Sequence, residues 1–213
     1  MSVSLRCYST SLGCPKNRVD TERLLGSLGV ALVPVESPDE AELVFINTCA
    51  FIQPATEESV RTIAQAIADI EELPKRPLLA VAGCLVGRYH AEDLAPELPE
   101  VDLWLDNSDL EAWPAMLARK LGLPEPTVPG RILSTGPSYA WLKISDGCRH
   151  ACSFCAIPNI RGGHRSHCKD MIVREARALL DQGVKELNLV AQDLTEWGCD
   201  LDGKQDLRTL LDG

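Results

Sequence analysis

The sequence lacks an excess of basic residues. It has 21 Lys and Arg against 31 Asp and Glu, so the 213-residue chain carries a formal net charge of −10. Proteins that grip nucleic acid through its phosphates usually present a basic surface. Direct binding of nucleic acid by this segment is therefore not predicted, and the acidity suits a basic protein partner as well as it serves solubility.

Long apolar runs are also missing. The apolar runs at residues 43–46 and 78–82 have the length of a strand, far short of the roughly 18 residues that a membrane-spanning helix needs. The residues after Met1 lack the apolar core of a secretory leader. These absences predict a cytoplasmic protein without a membrane segment.

Cysteine, in contrast, is abundant, with nine in the chain. In a cytoplasmic protein so many cysteines indicate metal binding or catalysis rather than disulfides. Cys7, Cys168 and Cys199 follow no pattern and are interpreted as structural or incidental. The other six fall into two sets of three, whereas the four histidines show no catalytic arrangement.

Strand and helix signals alternate along residues 1–121. Continuous apolar strands separated by helices are typical of an α/β fold, here an open parallel sheet with flanking helices. Proline and glycine concentrate in residues 122–138, which predicts a linker. Residues 139–213 then begin a second βαβ pattern that breaks off too early to close a sheet or barrel. We therefore expect a fragment of a longer protein.

The first cysteine set is Cys14, Cys49 and Cys84, each at the end of a predicted strand. Parallel strands share one carboxyl edge, and ligands bind in the crevice there, so these distant cysteines can meet. Gly13 and Gly83 directly precede two of them, which suits tight turns beside a bulky ligand. If the cysteines meet, they offer a three-thiolate site. The alternative is three buried core cysteines, because free cysteine is among the most buried residue types.

The second cysteine set is the C-x3-C-x2-C run of Cys148, Cys152 and Cys155. Three thiolates this close can hold three irons of a cubane cluster and leave the fourth iron open to a substrate or cofactor. Zinc is the alternative, although it usually takes C-x2-C pairs and would need a fourth ligand. The candidates for that ligand are His150, His164, His167 and Cys168.

The second set, with the aromatic Phe154 before its last cysteine, resembles the radical S-adenosylmethionine superfamily. The first set narrows the resemblance to the methylthiotransferase family, and it covers essentially the whole chain. The family's motifs stand here as Ser11-Leu12-Gly13-Cys14-Pro15-Lys16-Asn17, Asn47-Thr48-Cys49-Ala50-Phe51-Ile52 and Gly83-Cys84-Leu85.

Two details place the resemblance within the family. Cys14-Pro15-Lys16-Asn17 and Ala191-Gln192-Asp193-Leu194-Thr195 resemble the branch that modifies a ribosomal protein rather than the tRNA-modifying branch. Ser166-His167-Cys168 departs from the Ser-Arg-Pro or Ser-Arg-Ser step that family members commonly carry. The missing arginine puts a local anion or cofactor contact in doubt.

The resemblance implies a domain layout and a set of cofactors. Residues 1–121 would be the methylthiotransferase N-terminal domain, residues 122–138 the linker, and residues 139–213 the beginning of a radical S-adenosylmethionine partial (β/α) barrel, with the C-terminal TRAM domain absent. It also implies two 4Fe-4S clusters, an auxiliary one on the first cysteine set and a radical-generating one on the second, together with S-adenosylmethionine.

The resemblance further implies positions around the cofactor. Phe154, Ala156 and Ile157 are expected along its adenine. Gln192 and Asp193, at the end of a barrel strand, are expected either in the pocket or as a cap of that strand.

The implied activity is insertion of sulfur and a methyl group at the β-carbon of an aspartate in small-subunit ribosomal protein S-twelve. An electron donor of the flavodoxin or ferredoxin type would serve it. One alternative is a tRNA adenosine methylthiotransferase of the same family. Another, of a different class, is a non-catalytic iron–sulfur module.

Overall fold

The computed structural model describes residues 4–203 and 205–212. The chain forms two compact units, Met1–Ile132 and Leu133–Gly213. Within the described residues, no helix has the length and apolarity needed to cross a membrane.

The first unit contains a parallel sheet of five strands in the order β2-β1-β3-β4-β5. This is a doubly wound order in which the winding reverses between β1 and β3, and such a reversal opens a crevice at the carboxyl edge. All six residues of β3 are buried, as expected for a central strand covered on both faces. The strands are β1 (Ser4–Ser11), β2 (Ala31–Pro34), β3 (Leu43–Thr48), β4 (Leu78–Gly83) and β5 (Leu103–Leu105).

Helices connect these strands. Pro15 stands in the first turn of α1, where its missing N–H costs nothing, so the helix begins directly after Cys14. The α2 helix buries Ile63, Ala66 and Ile70 on one face, whereas the apolar Val60 is 41% exposed. The helices are α1 (Pro15–Ser27), α2 (Gln53–Glu71), α3 (Cys84–Tyr89), α4 (Ala91–Leu94) and α5 (Trp113–Leu121).

The boundary between the units falls inside the segment predicted as a linker. Arg131 forms a buried ion pair with Glu22 of α1, with 2.7 Å between Nη2 and Oε2. The backbone N–H of Ile132 donates to the Glu22 carbonyl at 3.1 Å. These contacts hold Arg131 and Ile132 on α1. The proline-rich segment therefore belongs to the first unit as far as Ile132.

The second unit is built on a βαβ crossover in which β6 and β9 pair in parallel and α7 connects them. Ala140, Leu142, Ile172 and Leu179 pack in its core. The predicted α/β class is thus confirmed in both units. The elements are β6 (Tyr139–Lys143), β7 (Ser145–Asp146), α6 (Ile157–Arg161), β8 (Arg165–Ser166), α7 (Lys169–Asp181), β9 (Glu186–Val190) and α8 (Leu207–Leu211).

Ile144 separates β6 from β7. The Ile144 N–H donates to Val190 at 3.1 Å, whereas its carbonyl accepts from His167 at 2.9 Å. The chain therefore changes partner at this residue and continues as β7, which pairs antiparallel with β8. This change of partner sets the position of the second cysteine set, which follows directly.

Candidate metal-binding sites

The first cysteine set lies at the carboxyl ends of three adjacent strands. Cys14 follows β1 and caps α1, Cys49 comes directly after β3, and Cys84 comes directly after β4 as the first residue of α3. Since β1 pairs with β3 and β3 with β4, the three loops are neighbours along one edge. The structure thus gives these cysteines the strand-end placement that the sequence predicts.

Two glycines let the loops of this set approach one another. Gly13 has φ 85° and Gly83 has φ 99°, both in the region that favours glycine. A Cβ on Gly13 would lie 2.8 Å from Sγ of Cys49, and one on Gly83 would lie 2.6 Å from the carbonyl oxygen of Thr48. The close approach of the loops therefore depends on the absence of side chains at these positions.

Buried asparagine side chains join the same loops. Asn17 donates from Nδ2 to the carbonyls of Leu12 and Thr48, at 2.9 and 2.8 Å. Asn47 donates to the Asn17 carbonyl at 2.9 Å. The motifs quoted above contain both residues, but their role is visible only in the fold, where they bind backbone that is distant in sequence.

Asparagine also reaches one thiol of the set. The Sγ of Cys84, a residue only 5% exposed, lies 3.7 Å from Oδ1 of Asn17 and 3.8 Å from Nδ2 of Asn107. Hydrogen bonds to sulfur tune the reduction potential of iron–sulfur clusters. Asn107 was not singled out by any motif in the sequence.

The Cys49 loop is held from two helices. Ser59 of α2 accepts from the Cys49 N–H at 3.0 Å and donates to its carbonyl at 2.6 Å. Arg88 of α3 donates to the Ala50 carbonyl at 2.6 Å. The backbone of this loop is therefore positioned before any ligand binds. Cys7, in contrast, lies in the core, where burial raises the pKa of its thiol to about 12, which suits a structural cysteine.

The second cysteine set lies on a loop between β7 and α6. The Cys148 N–H donates to the Gly162 carbonyl at 3.2 Å, and the Cys155 N–H donates to the Cys152 carbonyl at 3.1 Å. Cys152 is exposed, while Cys148 and Cys155 are partly buried. The loop thus presents three thiols of graded exposure beside the carboxyl end of β6.

The positions predicted along the adenine lie just beyond this loop. Phe154 is 90% exposed, Ala156 caps α6, and Ile157 is the first residue of that helix. A ring so exposed contributes little to the core of the unit. Core packing therefore does not explain why an aromatic residue occupies this position.

A buried charged network lies beneath the loop. The Asp146 carboxylate accepts from Lys143 at 3.0 Å, from Arg161 at 3.1 Å and from His167 at 3.2 Å. Burial alone raises the pKa of Asp146, but the charges of Lys143 and Arg161 and the hydrogen bond from His167 hold it well below its usual range. His167, which belongs to the Ser166-His167-Cys168 segment noted in the sequence, is part of this network.

Asp193 lies beyond the carboxyl end of β9, whose neighbour β6 leads into the cysteine loop. Its carboxylate contacts Nε2 of His150 at 3.0 Å and accepts from the Thr195 N–H at 2.9 Å. The hydrogen bonds from Thr195 and then His150 lower the pKa of Asp193. Asp193 is therefore linked to the cysteine loop through His150, while Gln192 is half-buried next to it.

Among the described residues, two groups of potential ligands have atoms that all lie within 4.8 Å of one another, and neither group contains a cysteine of the two sets. Ligand atoms this close together can bind one shared ion. Cysteine sulfurs that bind different irons of a cubane lie farther apart. The groups are His164 with Cys199 and Asp200, and His150 with Asp193 and Glu196.

Comparison with known proteins finds one family model and several close relatives. Residues 6–106 match the family described as uncharacterized protein family UPF0004. The chain is 68% identical over 205 residues to the protein named ribosomal protein uS12 methylthiotransferase RimO of Nitratidesulfovibrio vulgaris, covering 96% of this chain and 48% of that protein. It is 58% identical to the protein of the same name from Lawsonia intracellularis, covering 99% of this chain and 48% of that protein. The chain therefore spans about half the length of these relatives.

The fold also resembles that of solved structures. A radical S-adenosylmethionine methyltransferase, TsrM, from Kitasatospora setae, solved with tryptophan and a SAM analogue, matches with a TM-score of 0.58 at 12% identity, over 90% of this chain and 48% of that one. A second structure of TsrM, with cobalamin and a [4Fe-4S] cluster, gives the same TM-score at 11% identity, over 92% of this chain and 48% of that one. At such identities the likeness concerns the fold alone.

Proposed function

We propose that this chain belongs to the methylthiotransferase family and that the whole protein inserts sulfur and a methyl group at the β-carbon of an aspartate in ribosomal protein uS12. The observation that carries the proposal is 68% identity over 96% of the chain to a protein of that name. Two cysteine sets at strand ends support it, because such a reaction needs both a radical and a sulfur atom to insert. The activity is proposed for the whole protein, and this chain spans about half the length of the relatives it matches.

In this proposal the first cysteine set binds an auxiliary 4Fe-4S cluster. The donors fit such a group, since they are three thiols on adjacent loops, and glycines leave space beside two of them. Asn107 donates from Nδ2 towards the Cys84 sulfur, where it would stabilise a thiolate ligand. Ser59 and Arg88 keep the Cys49 loop in place.

The second cysteine set is proposed to bind the other 4Fe-4S cluster. When bound and reduced, that cluster and S-adenosylmethionine supply a 5′-deoxyadenosyl radical, which can abstract hydrogen from a C–H bond too weakly acidic for a protein base. The residues of this chain orient the loop: Asp146 anchors its start through Lys143 and Arg161, and Gly162 accepts from Cys148.

The remaining site residues are proposed to face the cofactor. Phe154, Ala156 and Ile157 would line the adenine, because they directly surround the last cysteine of the set. Asp193 would lie in the cofactor pocket, where its contact with His150 at 3.0 Å would hold it. Gln192 would lie beside it.

The proposal extends to partners. The net charge of −10 on this chain complements a basic ribosomal protein, and such complementarity speeds encounter. A donor of the flavodoxin or ferredoxin type would supply the electron. Because the proposed substrate is a ribosomal protein, we expect the enzyme to act in the cytoplasm.

The test is the mass of each candidate substrate after reaction with the full-length enzyme. A gain of one methylthio group on uS12, and none on tRNA, is expected. A gain on tRNA alone would move the protein to the tRNA-modifying branch. A cluster-loaded enzyme that changes neither substrate and cleaves no S-adenosylmethionine would be a non-catalytic iron–sulfur module, and the proposal would fail.

A further inference from the structure

Three potential ligands of different chemistry meet in the second unit, outside both cysteine sets. The ligand atoms of His164, Cys199 and Asp200 all lie within 4.8 Å of one another. Nε2 of His164 lies 3.6 Å from Oδ1 of Asp200, and the imidazole is only 3% exposed. A nitrogen, a sulfur and an oxygen donor therefore converge on one point.

Ser166 of β8 positions two of these ligands. Its backbone N–H donates to Oδ2 of Asp200 at 2.8 Å, which leaves Oδ1 on the side of His164. Its hydroxyl accepts from the Gly198 N–H at 2.9 Å and lies 3.1 Å from Nε2 of His164. Partners that orient ligands in this way are typical of built metal sites.

The hydroxyl of Ser166 also lies beside the imidazole. Its oxygen accepts from Gly198, and its proton can point to Nε2 of His164. That nitrogen has one lone pair, so a metal would replace this hydrogen bond rather than share it. The residues on both sides of Cys199 are anchored, Gly198 through its N–H and Asp200 through its carboxylate.

The donor set indicates the class of metal. Imidazole, thiolate and carboxylate together suit zinc, which binds three protein ligands and keeps a fourth position for water in open tetrahedral sites.

The neighbouring group of His150, Asp193 and Glu196 is a weaker candidate. Arg149 contacts Glu196, with 2.5 Å between Nε and Oε2, so a cation of the protein already neutralises that carboxylate. The His150 side chain is also 48% exposed. The site with buried His164 has better ligand geometry.

We propose that His164, Cys199 and Asp200 bind a zinc-class divalent cation. The ion joins β8 to the turn that follows β9. Because Ser166 of β8 also pairs with Ser145 of β7, the ion stabilises the β7–β8 pair. The second cysteine set follows directly after β7. The site is independent of the proposed transferase activity.

The experiment uses the full-length protein, loaded anaerobically with iron and sulfide and then equilibrated with zinc chloride. Elemental analysis should find about one zinc per chain. X-ray absorption at the zinc edge should show one sulfur at about 2.3 Å and the other ligands at about 2.0 Å. Cys199→Ser and His164→Gln should each weaken zinc binding at least about tenfold.

His90→Gln is the matched control. Nδ1 of His90 lies 3.8 Å from Asp106 in an exposed pair, and the variant should bind zinc like the wild type. Cys199 is exposed, so Cys199→Ser tests the site even where His164→Gln fails to fold. The proposal is overturned by absence of zinc, by a shell of three or more sulfurs, or by unchanged zinc in Cys199→Ser; His164 and Asp200 would then form an ordinary ion pair.

Discussion

At the scale of single residues, the two cysteine sets are proposed to serve different steps of the reaction. Cys148→Ala removes a thiol of the set proposed to generate the radical, so cleavage of S-adenosylmethionine should be abolished. Cys49→Ala should spare that cleavage and stop sulfur insertion, because its set is proposed to hold the sulfur. Chromatography of 5′-deoxyadenosine and the mass of uS12 measure the two outcomes in the full-length enzyme.

Cys168→Ser is the control for both variants. Cys168 is exposed and lies outside both sets, so neither readout should change. Persistent sulfur insertion by Cys49→Ala would contradict the scheme of two clusters.

Asn17 is the buried polar residue on which the first site most depends. Asn17→Leu removes the Nδ2 donor and leaves the buried carbonyls of Leu12 and Thr48 without it. Each such loss costs about 1–3 kcal/mol, so we expect the free energy of unfolding in urea to fall by about 2–5 kcal/mol. Asn188→Ala, whose amide donates to nearby exposed Glu186, should change it by less than about 0.5 kcal/mol. Equal effects of the two substitutions would refute this role for Asn17.

At the scale of elements, a buried charged network centred on Asp146 links β6, β7 and α6. Asp146→Asn leaves Lys143 and Arg161 buried without their carboxylate. Breaking a buried ion pair in this way costs about 3–5 kcal/mol, which urea unfolding at neutral pH measures. Asp212→Asn breaks an exposed pair with Arg208 and should cost about 0–1 kcal/mol.

The pH dependence of this network has a defined sign. The folded pKa of Asp146 lies below its ordinary value of 3.8. Its contribution is therefore fully present above that value and is lost as the pH falls towards the folded pKa. The difference in stability between wild type and Asp146→Asn should be constant at neutral pH and shrink below about pH 4. A difference that grows on acidification would show that the carboxylate is not stabilised as described.

At the scale of the whole molecule, the two proposed clusters set the iron content. After anaerobic reconstitution, the full-length protein should hold about eight irons per chain, because each cubane contains four. Cys14→Ala and Cys152→Ala should each reduce the content to about four. Iron analysis beside a protein assay measures it, and zinc in place of iron at the cysteine sets would contradict the proposal.

The sequence determined the α/β class, most strands and helices, and both cysteine sets. These features are local: apolar runs mark buried strands, and proline marks helix starts. Strand-end placement then predicts that Cys14, Cys49 and Cys84 share one edge, because parallel strands end on the same side.

Tertiary structure alone decided what surrounds these cysteines. Asn107 reaches the Cys84 sulfur, and His164 meets Asp200, because strands and turns far apart in sequence pack side by side. It also decided that the chain changes partner at Ile144. No local pattern specifies such contacts, since they depend on register and on the buried polar groups that each must satisfy.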